Sequence, residues 1–263
     1  MRGFARQHRA TQGGVSTSRP HAMFFFGYAP CKLVGNIMSI GPILLDGIER
    51  CAIELVNHPL MRRAERGNVA PSTVARYLSS VHYLVQHTPP HLQLALVSAR
   101  RSGEAELVRY FERKLEEEQG HDRWAEADIA QLSQKFELAS VPEPSSAMKA
   151  LVAFVEARLS SEPASYVVYV LFAEYITVLV GPTWASALQR HCGIPIDALS
   201  VVTRHAILDQ DHVASALSEI EPLLARANPE RMLEMLEQSI RHFREFCDDL
   251  ARSETEPPNS VAA

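Results

Sequence analysis

From Pro42 onward, apolar residues return at three- and four-residue intervals: Ile43, Leu44, Ile48, Cys51, Ala52, Leu55 and Val56. That is the stripe of an amphipathic helix, and Pro59 is expected to close or kink it. Pro71-Ser72-Thr73 opens a second helix carrying Val74, Tyr77, Leu78, Val81, Leu84 and Val85, and Thr88-Pro89-Pro90 is expected to stop it. A third runs from Pro90 to the Ser102-Gly103 break. A longer one starts near Glu104 and carries Leu107, Val108, Tyr110, Phe111 and Leu115 to a Glu-rich run and His121. Pro142 and Pro144 mark a loop over 140–146, after which Met148 to Leu159 and Ala164 to Val180 read as two helices. The second is apolar over too long a run for a buried strand, and no partner strands are evident. Gly181-Pro182 is expected to break the chain before a helix from Trp184 to His191; two more span Asp197 to Leu224 and Pro229 to Ala251. The pattern predicts an all-α bundle with short loops over 41–251. Residues 1 to 40 show no sustained period and read as a mobile arm, and 252–263 as a disordered tail.

Composition narrows the function classes. With 263 residues, 46% of them hydrophobic, the chain can bury a core of one large domain. Lys and Arg total 26 against 31 Asp and Glu, a net charge of -5 that offers no electrostatic footprint for nucleic acid or an anionic membrane. No run approaches the roughly 20 uninterrupted apolar residues of a membrane helix, so a soluble, cytoplasmic protein is expected. Arg2, Arg6, Arg9 and Arg19 precede the apolar run Met23 to Gly27, which is too short for a signal peptide. Cys31, Cys51, Cys192 and Cys247 form no C-x-x-C pair and read as reduced thiols.

Candidate chemistry gathers in three places. His205, Asp209 and His212 stand at i, i+4 and i+7, within roughly 60° of one another on a helix. Two imidazoles and a carboxylate on one stripe suit iron, manganese or zinc; the plainer alternative is a solvated face. Val201, Val202, Ile207 and Leu208 make the surroundings apolar, which favours an inward stripe. Glu118 and His121 form the Glu-x-x-His pair that di-metal bundles project inward. Glu117, at i-4 from the same His, is the alternative partner, and a run of three glutamates is also what a solvated face contains. Glu174 lies in the apolar run Val170-Leu171-Phe172-Ala173-Glu174-Tyr175-Ile176. A carboxylate there must be paired, protonated or bound to a cation; a hydroxyl such as that of Tyr166 or Tyr169 is the non-metal partner.

Over roughly residues 45–225 these motifs resemble the iron-containing redox enzymes of the haem-oxygenase-like diiron oxidase and oxygenase superfamily. The resemblance rests on Glu-Glu-x-Gly-His at Glu117 to His121 followed by Trp124 and Asp128, on the core-helix Glu174, and on His-x-x-x-Asp-x-x-His at His205, Asp209 and His212. It implies a haem-oxygenase-like bundle of about seven core helices. It also implies two iron ions, or a manganese/iron pair, with dioxygen as co-substrate for oxidation, N-oxygenation or oxidative cleavage of a small metabolite. Glu118, His121, Glu174, His205, Asp209 and His212 would be the ligands. Relatives often place a further carboxylate on an earlier helix, whereas 75–86 contains no Asp or Glu; His82 is the nearest substitute and Glu54 on the first helix another. His58, His87 and His91 adjoin prolines and read as capping or surface residues.

On this reading the partners are a small-molecule substrate and an external electron donor, and the outer faces of the bundle would allow a homodimer. Phe172 and Tyr175 are expected beside the metals. Two rivals remain at this level: a metal-free oxidase resembling pyrroloquinoline-quinone synthase, with histidines that move protons, and a non-catalytic helical interaction protein.

Overall fold

In the computed structural model of the chain, residues 39–253 are described; the expected arm and tail lie almost wholly outside them. The described residues form nine α-helices and no strand. They are α1 (Ile40–Val56), α2 (Pro59–Glu65), α3 (Pro71–Ser102), α4 (Ala105–Glu117), α5 (Asp122–Phe136), α6 (Ser146–Leu159), α7 (Ala164–Cys192), α8 (Ser200–Leu224) and α9 (Pro229–Ser253), with a 3-10 turn at Ile196–Leu199 before α8. The all-α expectation holds.

α7 is the axis of the bundle. It lies along α8 and also touches α1, α2, α6 and α9, while α3 packs on α4, α5 and α6. Because α7 is covered on several sides, its sequence is apolar nearly all round, and Tyr166, Val168, Leu171 and Phe172 are fully or almost fully buried. It is also long and apolar enough to cross a membrane by composition, but two thirds of its most apolar window, 67%, is buried within the bundle.

One expected helix boundary is found and two are not. As expected, α1 closes ahead of Pro59, at Val56; Pro59 then starts a short α2 at the first helical position, where its missing N–H costs nothing, and His58 Nδ1 caps by accepting from Leu60 N at 3.2 Å. Pro89-Pro90 sits inside one continuous α3. A proline pair removes two donors from the ladder, yet Val74 and Leu78 before it and Leu92, Ala95 and Ala99 after it are all buried, so packing on both halves holds the axis. Gly181-Pro182 likewise lies within α7. A Cβ at Gly181 would stand 3.2 Å from Val202 Cγ1, so glycine here permits close approach of α8 rather than a break.

The remaining difference shapes the site. α4 stops at Glu117, Gly120 turns the chain at φ +82, and the separate helix α5 begins at Asp122. Glu118 and His121 therefore lie in the turn between two helices, not one turn apart on the same helix.

Candidate metal centre

The polar centre is assembled from the α4–α5 turn, the middle of α7 and the inward stripe of α8. Two sets of donors result. In the first, Glu118 Oε2 is 3.1 Å from His121 Nδ1, which is 3.2 Å from His205 Nε2. In the second, His212 Nδ1 is 3.3 Å from Asp209 Oδ1 and 3.5 Å from Glu174 Oε1. Within each trio the ligating atoms all fall within 4.8 Å of one another. All six expected ligands are thus brought together in two groups, and Glu118, Glu174, His205 and Asp209 line one cavity.

Local structure aims these donors. His205 Nδ1 is 2.6 Å from the carbonyl of Val201, one turn back. A carbonyl only accepts, so Nδ1 carries the proton and Nε2 presents its lone pair toward His121 and Glu118. The indole of Trp124 stacks on His121, with ring centroids 4.1 Å apart, and meets His205 edge-on at 5.3 Å. Asp128, fully buried, accepts from Ser200 Oγ at 2.6 Å and Val201 N at 2.7 Å, tying α5 to the first turn of α8. Burial pushes the Asp128 carboxyl up, against the pull of those bonds.

The second group holds an additional charged residue. Lys114, only 4% exposed, reaches in from α4 and places Nζ 2.7 Å from Glu174 Oε1 and 2.9 Å from Glu117 Oε2. Burial opposes its charge, but Glu174 and Glu117 outweigh that, and its pKa is raised. Hydrogen bonding to Asp209 and then Glu174 pushes His212 up to about 10. Burial raises Asp209 despite its bond to His212, whereas at Glu118 burial is overcome by the bond to His121 and the nearby imidazoles, and the carboxyl is lowered. Glu174 pairs with Lys114 and not with a tyrosine, and its Oε2 is buried without a hydrogen-bond partner.

Two of the other candidates, Glu54 and His82, lie apart from this centre, and Glu117 lies at its edge beside the second group. Glu54 is exposed and ion-paired with Arg244. His82 stands 3.4 Å from the exposed Glu126, in a cluster with Asp122. Glu117 faces Lys114 and is 3.6 Å from His212 Nε2, so Glu118 is the partner of His121. Ile207 and Leu208, expected to make the surroundings apolar, are 69% and 42% exposed; Ile207 lies about 200° round the helix from His205. Tyr175 points to Glu49, at 2.8 Å, while Phe172 does line the cavity. Sequence reasoning missed Lys114, although a signal exists. Leu107, Tyr110, Phe111 and Lys114 share the buried stripe of α4 at i, i+3, i+4 and i+7.

Beyond its polar end the cavity, about 190 Å³ in volume, is walled by apolar and aromatic side chains, among them Val81, Leu84, Tyr169, Phe172, Ile176 and Phe246. The arrangement can hold a cation at one end and an apolar molecule beside it.

No family model and no curated protein matches the sequence. Among solved structures, the chain is similar to a domain of unknown function with a haem oxygenase-like fold from Shewanella denitrificans OS217, at 16% identity and TM-score 0.68, covering 87% of this chain and 100% of that one. A TenA homolog from Pseudomonas syringae pv. tomato str. DC3000 matches at 16% identity and TM-score 0.61, over 84% and 99%. A CADD-like protein of unknown function from Nostoc punctiforme PCC 73102 matches at 14% and 0.62, over 82% and 99%. The chain has the haem-oxygenase-like fold that the sequence resemblance implied.

Proposed function

We propose that this protein is a non-haem iron oxidase or oxygenase, with donors for up to two iron ions, that uses dioxygen to oxidise, N-oxygenate or oxidatively cleave a small apolar metabolite. The observation that carries the reading is the convergence of six nitrogen and oxygen donors, from the α4–α5 turn, α7 and α8, of which Glu118, Glu174, His205 and Asp209 line an apolar cavity. The donors suit iron in type, being imidazole and carboxylate without thiolate. They also fit in geometry: the His205 Nε2 lone pair is aimed at His121 and Glu118.

Bound iron would supply the electron transfers that make dioxygen reactive toward an organic molecule. Electrons not drawn from the substrate come from an external donor. The chain's own residues do the rest. Glu118, His121 and His205 hold one cation, and Glu174, Asp209 and His212 offer the second set. The Val201 carbonyl fixes the tautomer of His205, and Trp124 fixes the plane of His121. Phe172, Ile176 and the α3 side chains Val81 and Leu84 exclude water and press an apolar substrate toward the donors.

Anaerobic ferrous titration of the metal-free protein, followed by oxygen exposure, tests this. Bound iron and a transient visible absorption band are expected, both abolished in His205→Ala. Oxidation without any bound metal would turn the reading toward the metal-free oxidase, and unchanged iron binding by His205→Ala would end it.

A further inference from the structure

The two donor groups are not equivalent, because only one already contains a cation. Lys114 Nζ lies within hydrogen-bond distance of Glu174 Oε1 and Glu117 Oε2, at 2.7 and 2.9 Å. Its side chain is buried, 5% exposed, on the inward stripe of α4. It cannot leave the carboxylates for water without unpacking that stripe. Among the described residues, by contrast, no Lys or Arg is ion-paired with Glu118, His121 or His205.

We propose that Lys114 is a built-in counter-cation for the Glu174–Asp209–His212 group, and that the folded chain therefore takes one divalent ion, at Glu118, His121 and His205. The proposal rests on the reading of these residues as metal ligands and specifies how many ions they hold. A divalent ion entering the second group would have to share Glu174 with an ammonium already seated on it. At such separations, in a site shielded from water, like charges repel strongly. Expelling the lysine instead would leave a buried charge unpaired. The ammonium also settles the charge of the second group without a metal, so the fold does not depend on a second ion. The first group has no such internal cation. Its donors face one another, with the His205 lone pair directed at the His121 ring, and a cation placed among them satisfies all three together.

The arrangement separates two roles. The first group carries the ion, while Lys114 neutralises the carboxylates of the second.

The test is ion stoichiometry, by elemental analysis after anaerobic loading with excess ferrous iron and desalting, with calorimetric titration of cobalt(II) as a second probe. Wild type is expected to hold one ion per chain, to lose it in His205→Ala and to keep it in Asp209→Asn. Lys114→Met removes the cation and Lys114→Glu replaces it with an oxygen donor; both are expected to rise to two ions per chain. Two ions of similar affinity in wild type, or loss of the single ion in Asp209→Asn with retention in His205→Ala, would overturn the proposal. So would folded Lys114 variants that stay at one. Wild-type stoichiometry decides even where a Lys114 variant fails to fold. No ion in wild type or any variant is a different failure, that of the metal-ligand reading itself.

Discussion

The two halves of the polar centre are built from nearly the same parts, one having two imidazoles and a carboxylate and the other two carboxylates and an imidazole. Their surroundings make them different. Glu118, His121 and His205 face one another, braced by Trp124 and the Val201 carbonyl. Glu174, Asp209 and His212 share their space with the Lys114 ammonium and with Glu117. The difference teaches that donor type and spacing define a ligand set only up to the charge already present beside it. A single lysine reaching in from a third helix changes what the same side chains can accept.

Substitution can break this contrast. The largest effect is expected from His205→Ala, which removes the aimed lone pair of the first group; iron affinity should fall by more than about 100-fold, beyond what losing an outer-shell partner costs, as read by competition with a chelator. Next is the buried ion pair. Either Lys114→Met or Glu174→Gln alone should destabilise the metal-free protein by about 3–5 kcal/mol, and the double variant should recover most of that, because the pair is removed together. Urea melts of the four proteins form the cycle, and additive losses would show that the contact contributes nothing as a pair.

A pH series sharpens the contrast on the side of the second group. His212, ordinarily near 6.5, is raised to about 10 by Asp209 and Glu174. The folded state thus binds a proton more tightly than the unfolded chain, so this stabilisation is complete below about pH 6.5 and fades as the pH climbs toward 10. The melting temperature of the metal-free protein should decline over that range, and His212→Gln should flatten the decline. The smallest effect is expected at Asp128→Ala, which removes the acceptor at the start of α8. A loss of about 1–2 kcal/mol in stability should come with weaker metal binding, since the turn it anchors leads directly to His205.

Much of this centre was legible in the chain. The spacing of His205, Asp209 and His212 placed them on one stripe, and the structure turns that stripe inward. The apolar context of Glu174 announced a buried carboxylate in need of a partner. Glu118 ranked above Glu117 on spacing and does stand beside His121, though for another reason: the pair spans a turn at Gly120, not a helical repeat. The partner of Glu174 was not read. Lys114 lies 60 residues away from it, and nothing local to α7 points to α4. The same limit explains α5. Its buried positions, Ala125, Asp128 and Leu132, include one small residue and one acid, so its stripe is faint until Ser200 and Val201 are seen to satisfy Asp128. Pro89-Pro90 and Gly181-Pro182 misled for the opposite reason, since local rules read them as breaks and packing carried the helices through.

What the sequence alone determined is angular. It placed the chain in helices and put its apolar residues on stripes. It also set three donors of α8 on a common face, because each of these properties depends only on a residue's rotation about its own helix axis. The tertiary structure decided what is a matter of distance. It brought the α4–α5 turn, α7 and α8 to one end of one cavity, left Glu54 and His82 outside it, and set Lys114 against Glu174. Those outcomes follow from how helices far apart in sequence pack on α7, and no single helix's periodicity contains them.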